Sequence, residues 1–504
     1  MTETGLLTTR DILFKGNQDP DHHAIESPGL HPLTYRELRL QVIYAVKTLN
    51  TMGFHRNDRI AIITPAGPET AVIIVSVMAG FISVPMNPQN KRQEYENYFS
   101  QLKISAIIVQ KGCETAATAA AKSLNIPIIE LIPISGIAGK FELEPRVILD
   151  IREAEFAIPS DISTILFTSG TTSQPKIVSY SQKKSSLARQ RQIVPLKITS
   201  SDRCLHIVPY YHGMGRGQPL LGLLLAGGTV ICTKDFIPSD FFSLLKKFRP
   251  TYYVAGPALH QGILREIKKI PPIELKNNSL RFILSSSSLL STTVYRELET
   301  LLGVPVIEQY ATSEAQVISI NFPPKRGSVG IPVIELLQIL DENGKHLVPY
   351  EQGEIVVKGE LVFDGYEDAP DENKTAFIDG WFRTGDIGYL DEEGYLFLTG
   401  RKKELINKGG EKISPDEIDS VLKCHPRVRD AMTFGIAEPE LGEDIEAMVV
   451  RADESVTESE LRLFLLDRLA QFKLPRRIYF VDTIPRNATG KPLRHVGTER
   501  YSQR

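Results

Sequence analysis

A chain of 504 residues, 42% of them apolar, is long enough for one large domain plus a small one and too apolar to be disordered. Its formal net charge of −3 gives no electrostatic footprint for nucleic acid. Cys113, Cys204, Cys232 and Cys424 lie far apart with no C-x-x-C pair, which argues against a disulfide framework or thiolate zinc site and fits a reducing, cytoplasmic compartment.

The segment MTETGLLTTRD has neither the basic nor the long apolar part of a secretory signal, and ERYSQR is not a peroxisomal ending. The helical pattern Tyr35–Met52 comes first, followed by the strand pattern Arg59–Thr64. Thr70–Met86 is uncharged but contains Gly80, Ser83 and Pro85. It is too short for a membrane span and reads as a buried helix running into a buried strand. Ala106–Val109, Pro127–Leu131 and Ile165–Thr168 read as further strands. So do Gly228–Cys232, Tyr252–Ala255, Arg281–Leu284 and Val304–Ile307, with a helix at Phe241–Phe248. Strands alternating with helices predict an α/β chain with parallel sheets. From about residue 329 to 400 short strands and turns predict a β-rich subdomain. The charged segment Gly400–Lys403 predicts a linker, which divides the chain into 1–400 and a small α+β domain, 401–504. In that domain Thr457-Glu-Ser-Glu460 is a capping box, opening a helix with Leu461, Phe464, Leu465 and Leu469 on one face.

Five motifs carry the chemistry. Ile165–Lys176, ILFTSGTTSQPK, is a strand followed by small hydroxyl residues around Gly170 and closed by Lys176. Such a backbone can bend around an anion, with hydroxyls as short donors and lysine as a mobile charge. It lacks the Walker pattern, and a Ser/Thr-rich surface turn has the same composition. Tyr310-Ala-Thr-Ser-Glu314 follows the strand VPVI, where open α/β sheets bind ligands. Glu314 suits Mg²⁺, which takes oxygen ligands; the alternative is a helix start capped by Thr312 or Ser313. Gly380–Asp386, GWFRTGD, offers an aspartate to the hydroxyls of a ribose, or merely caps a turn. In the stretch from Gly400 to Asp419, Ser414-Pro415 with Glu417 is a helix start, and Gly409-Gly410 permits close approach of a thin ligand. Ala488-Thr-Gly-Lys491 puts a lysine on a turn.

In this order and at these separations, the motifs resemble the adenylate-forming superfamily of acyl-CoA synthetases, adenylation domains and beetle luciferases. Leu33–Leu38 and Ala79–Pro85 extend the likeness to nearly the whole chain. Its texture is most similar to the coumarate–CoA ligase and oxalate–CoA ligase branch. The resemblance implies a large N-terminal domain of layered αβ subdomains and a small mobile C-terminal one. It implies attack of a carboxylate on the α-phosphorus of ATP, release of pyrophosphate, and transfer of the acyl group from AMP to a thiol. It further implies that Thr168, Ser169, Gly170, Thr171, Thr172 and Lys176 hold the β- and γ-phosphates, and that Glu314 carries Mg²⁺. Ser313 would face the α-phosphate, Gln309 and Tyr310 flank adenine, and Asp386 and Arg401 hold the ribose. Lys491 would bridge the attacking carboxylate and the α-phosphate. Lys403 would be the hinge, and Gly409 and Gly410 would line the thiol tunnel; without the family match, Lys402 and Lys403 read as solvated charges.

Ser173 and Ile177 stand where many relatives have glycine, as does Ala311 on the pocket floor. His212 matches a family histidine at the acyl entrance, and an aspartate for an α-ammonium is missing, which favours an acid without a free α-amino group. Ser286 and Ser287, within Ser285–Ser288, make the wall more polar than a fatty-acyl tunnel, and Val333 is placed on the same pocket. Arg216 could pair with a second carboxylate, but the preferred reading is a surface arginine. The acceptor is expected to be CoA, with a carrier-protein phosphopantetheine as the alternative; a non-catalytic binding protein is the remote one. No nucleic-acid partner and no membrane insertion are expected.

Overall fold

The computed structural model describes residues 5–16, 18–145, 153–168, 176–408, 411–439, 441–487 and 490–501. Two large sheets carry most of the chain. The first runs Phe141–Glu144, Ile128–Pro133, Ala106–Gln110, Arg59–Ile63, Ile82–Pro85, Ile162–Thr168, Lys176–Ser181. Its inner strands are parallel and its two edges antiparallel. The second runs Ile331–Pro332, Gln316–Ile320, Val306–Thr312, Phe282–Ser285, Tyr252–Ala255, Arg203–His206, Thr229–Cys232, His23–Glu26, Leu33–Thr34. It too is parallel inside and antiparallel at its edges.

Strand side chains alternate between faces, so each sheet feeds two cores. Ile60 and Ile62 join a central core shared by both sheets, whereas Ala61 and Ile63 join an outer one. Likewise Cys204 and Tyr252 point to the centre, and Leu205 and Tyr253 outward. The central layer contains the helix Pro68–Gly80, every residue of which is buried. Its one charged residue, Glu69, sits in the first turn 3.9 Å from Lys234, and the rest of the helix is uncharged because it has no face toward water. The expected helix-to-strand passage follows, with Ile82–Pro85 after Phe81. The helices Tyr35–Thr51 and Gln182–Ile193 contribute to the same layer.

A third sheet is antiparallel and contains Leu336–Leu340, Gly353–Lys358, Trp381–Leu390, Phe377–Ile378 and Leu396–Arg401. It ends at Arg401, and the first strand of the fourth sheet, Ile406–Lys408, begins four residues past the turn at Lys402. The fourth sheet is covered by the helix Pro415–Lys423, with Ser414 at its N-cap, and by Glu458–Leu466. Thr457 accepts from the Glu460 backbone N–H, as the capping sequence requires, and Leu461 and Leu465 face the core. No helix among the described residues is long and apolar enough to cross a membrane.

Two expectations change. The strand expected to end at Ile307 continues to Thr312, turns, and returns as Gln316–Ile320. The YATSE motif is therefore a strand-to-strand turn and not a helix start. Thr312 Oγ1 caps this turn instead, accepting from the Ala315 N–H at 3.0 Å. Arg216 is not a surface residue: it is 4% exposed.

Candidate active site

Residues 169–175 lie outside the described residues, so the sites expected at Ser169, Gly170, Thr171 and Thr172 have no described geometry. The feet of that segment are fixed. Thr168 and Lys176 are register partners at the end of an antiparallel pair. Lys176 Nζ lies 4.7 Å from the centre of the Tyr366 ring. The Tyr366 phenol donates to Glu314 Oε1 at 2.9 Å, and so connects the lysine at the loop's foot to the expected magnesium ligand. Burial raises the Glu314 carboxyl above its ordinary pKa, opposed by the Tyr366 hydrogen bond. One carboxylate oxygen remains to act as a hard ligand, which fits Mg²⁺, an ion that needs few protein oxygens when phosphates supply the rest. Ser313 is adjacent, its carbonyl accepting from the Tyr180 hydroxyl.

Asp386 is aimed by a bulge. Glu354 pairs with Ile387 and Val356 with Arg383, so the strand Trp381–Leu390 carries extra residues opposite Ile355. Gly385 takes φ +71° there, which glycine allows at little cost. The motif is therefore a bulge inside a strand rather than a free turn. Asp386 is buried; Arg401 Nε meets its Oδ1 at 2.8 Å and the Tyr310 hydroxyl its Oδ2 at 2.5 Å. A carboxylate has about four acceptor sites, so both oxygens can still receive ribose hydroxyls.

Lys491 closes this group from the small domain. A turn holds it: the Lys491 N–H donates to Asn487 Oδ1 and the Asn487 N–H to the Lys491 carbonyl, each at 2.9 Å. Burial, then the Arg401 guanidinium, push the Lys491 amine below the ordinary lysine value, while Asp386, Glu404 and Glu314 pull it upward. Lys491, Arg401, Asp386 and Glu314 thus act on one another although they come from both sides of the linker. Arg494, three residues on at the start of the helix Arg494–Tyr501, holds Glu404 at 3.0 Å and Asp419 at 2.8 Å, and also binds Asp416. Lys403 is exposed in the turn between the third and fourth sheets. The preceding Lys402 is tied back to Glu354 at 2.9 Å. Gly409 and Gly410 lie outside the described residues.

The profile of the AMP-binding enzyme family matches residues 14–367, and that of the AMP-binding enzyme C-terminal domain matches residues 417–491. The chain belongs to the adenylate-forming AMP-binding enzymes. It is 37% identical to a protein named "Probable CoA ligase CCL9" from Humulus lupulus, over 99% of this chain and 97% of that one. It is 34% identical to an oxalate–CoA ligase of Arabidopsis thaliana, over 96% of each. Among solved structures, ATP-bound MatB from Rhodopseudomonas palustris superposes with a TM-score of 0.86 at 27% identity, covering 98% of this chain and 99% of that one. This likeness extends the family's large and small domains over the full chain.

Where the acyl pocket is expected, His212 occupies the N-cap position of the short helix Gly213–Arg216 and its ring lies 4.4 Å from that of Tyr211. Gln309 is buried, accepts from Gln192 at 3.0 Å and donates to Ser286 Oγ at 3.2 Å. Ser287 has φ +82°, a left-handed conformation that costs a serine energy, and its hydroxyl reaches Met214 Sδ at 3.7 Å. Ala311 is exposed beside a register shift, and the Val333 N–H bonds the Ile318 carbonyl one strand away.

Three contributors had no motif to mark them. Tyr366 lies in a turn-like stretch and is marked out by its contacts with Glu314 and Lys176, both distant in sequence. Arg189 belongs to the helix QKKSSLARQRQI, whose charge density reads as a solvent face although Arg189 is buried. Arg494 has three carboxylate partners spread from residue 404 to 419, which no local pattern connects.

Proposed function

We propose that this protein is an AMP-forming acid–CoA ligase with a catalytic centre built around Lys491. The observation that carries the proposal is the shared field of Lys491, Arg401, Asp386 and Glu314. It sets Lys491 beside groups from residues 314 to 401, which supports a site that gathers the reacting carboxylate, α-phosphate and ribose. The 37% identity to a named CoA ligase supports CoA as the acceptor.

In this reading residues 168–172 and Lys176 hold the β- and γ-phosphates, and Glu314 holds Mg²⁺, which would neutralise phosphate charge. Gln309 and Tyr310 flank adenine, Asp386 and Arg401 grip the ribose, and Ser313 faces the α-phosphate. Lys491 presents its ammonium to both the attacking carboxylate oxygen and an α-phosphate oxygen, cancelling the repulsion between two anions. The carboxylate oxygen bonds to the α-phosphorus, the bond to pyrophosphate breaks, and acyl-AMP forms. The small domain then turns about Lys403. The thiol reaches the acyl carbon past Gly409 and Gly410, and AMP leaves with the bonding pair. A boundary at residues 400–403 follows from this hinge. A cytoplasmic setting agrees with four free cysteines.

Acid-dependent ATP–pyrophosphate exchange, followed by chromatography of acyl-CoA, tests the proposal. Exchange together with acyl-CoA is expected. Exchange with transfer only to a phosphopantetheinylated carrier protein would replace CoA by the carrier. No exchange with any acid would remove the catalytic reading.

A further inference from the structure

The central layer between the two large sheets is apolar, yet it contains two arginines. Arg189 lies in the helix Gln182–Ile193 between neighbours of the core, and Arg216 ends the helix that His212 begins. They are 7% and 4% exposed. Each guanidinium presents five N–H donors. Among the described residues, Arg189 has one acceptor, Gln316 Oε1 at 3.0 Å, and Arg216 has one, Thr164 Oγ1 at 2.7 Å. Arg216 Nε is buried with no partner. Neither side chain meets a carboxylate among the described residues, whereas the buried Asp202, Asp386, Asp391 and Asp419 each meet a cation.

The two arginines are also neighbours. The Arg189 guanidinium lies against the backbone of Gly217, where a Cβ would overlap Nη1, so glycine at 217 leaves the room it needs. Arg216 is the residue before. Burial lowers both pKa values, to about 10 and about 9, and for Arg216 the nearby Arg189 adds to the effect. Both remain cations at neutral pH. The chain after Arg216 winds as a π-helix, Gly217–Gly222, a rare form concentrated at functional sites. Burying two like charges without a counter-ion is strongly unfavourable, and no carboxylate among the described residues offsets it. An anion held there would.

The position says which anion. Gly213 lies over Leu166 and Arg216 binds Thr164, two residues farther from the nucleotide loop on the same strand. Arg216 therefore sits one helical turn, about 6 Å, deeper than His212. We infer that Arg189 and Arg216 form the seat for a second anionic group on the acid substrate, so that the enzyme selects dicarboxylic acids over monocarboxylic acids of equal length. This rests on the adenylation reading, which puts the reacting carboxylate near His212 and Lys491. One end of the acid meets Lys491; the other supplies the charge that the buried arginines lack.

The test is pyrophosphate exchange with length-matched pairs: succinate against butyrate, glutarate against pentanoate, and monomethyl succinate as the uncharged counterpart. Oxalate and malonate extend the series to shorter spans. The wild-type enzyme is expected to favour the best diacid over its monoacid by at least about 100-fold in kcat/KM, the worth of a buried charge-assisted pair. Arg216→Met and Arg189→Met should each cut that preference at least tenfold by raising KM for the diacid. Their melting temperatures should hold or rise, since an unpaired buried charge is removed. Arg216→Lys should retain part of the preference. Equal use of monoacid and diacid by the wild type, or equal loss of both substrates with a lowered melting temperature in the Met variants, would overturn the inference. Exchange with monoacids alone overturns it while leaving adenylation intact; exchange with none overturns both.

Discussion

Arg401 and Asp386 are register partners on neighbouring strands, their side chains meet at 2.8 Å, and the residue after Arg401 begins the linker to the small domain. The proposed ribose grip and the proposed hinge therefore adjoin on one strand pair. Asp386→Asn keeps the shape but removes the charge that holds Arg401. Hydrogen bonds to charged groups contribute roughly 1.5–3 kcal/mol, so kcat/KM for ATP should fall about 10- to 100-fold. Exchange kinetics at varied ATP measure this, and an unchanged value would show that the nucleotide does not depend on Asp386.

Lys491 separates the two half-reactions. Lys491→Ala should reduce adenylate formation by at least about 100-fold, the scale of losing one preorganised charge at the reacting centre. Thioester formation from supplied acyl-AMP and CoA should persist. The pH profile follows from the downward shift of its amine, caused first by burial and next by Arg401. The ammonium is complete below the folded-state pKa and lost as pH rises through it, so exchange should decline on the alkaline side before the ordinary lysine value of 10.5. Lys491→Arg should move that decline upward. An alkaline limb unmoved by this change would assign the titration to another group.

Lys403 stands exposed in the turn between two sheets, with Lys402 tied to Glu354 before it and Glu404 tied to Arg494 after it. With both neighbours anchored, Lys403 is where the proposed rotation would concentrate. Proline would fix its φ near −65°. Lys403→Pro should leave exchange within about twofold and slow acyl-CoA formation at least tenfold; equal loss of both steps would move the hinge elsewhere.

The sequence was most informative where local chemistry sets structure. The Thr457 cap on the Glu460 N–H and Pro415 at the first position of its helix are set by residues a few positions apart, although the Glu460 carboxylate turns to Arg427 and the Ser414 hydroxyl caps nothing. The buried helix was legible from Thr70 onward, because a run without charge on any face admits only burial. What stayed hidden depends on distant partners. Arg216 reads as a surface residue because arginines usually are, and its burial follows from Thr164, 52 positions earlier. YATSE carries the residues of a helix cap, but pairing with Gln316–Ile320 outweighs that local preference. Asp386 is legible as a residue; its aim comes from a bulge set by the neighbouring strand.

Glu308, two residues before Tyr310 in the same strand, gives the last prediction. It is buried, and its carboxylate accepts only from the Leu290 N–H, at 3.3 Å, among the described residues. Burial raises its pKa from 4.5 to about 7, opposed by that one hydrogen bond. The folded protein therefore holds a proton that the unfolded chain has released between these values. Stability from the neutral acid is complete below about 4.5 and is lost as pH rises through about 7. The difference corresponds to at most about 3–4 kcal/mol, at 1.36 kcal/mol per pKa unit. Glu308→Gln cannot ionise and keeps a neutral side chain of the same shape. Its melting temperature should match the wild type near pH 5 and exceed it by several degrees at pH 8, with the gap opening between pH 5 and 7. Calorimetry of the large-domain transition across this range tests it. A gap independent of pH would mean that Glu308 stays ionised in the fold and that Leu290, which carries the serine wall Ser285–Ser288 in the adjoining segment, is held by a carboxylate rather than by an acid.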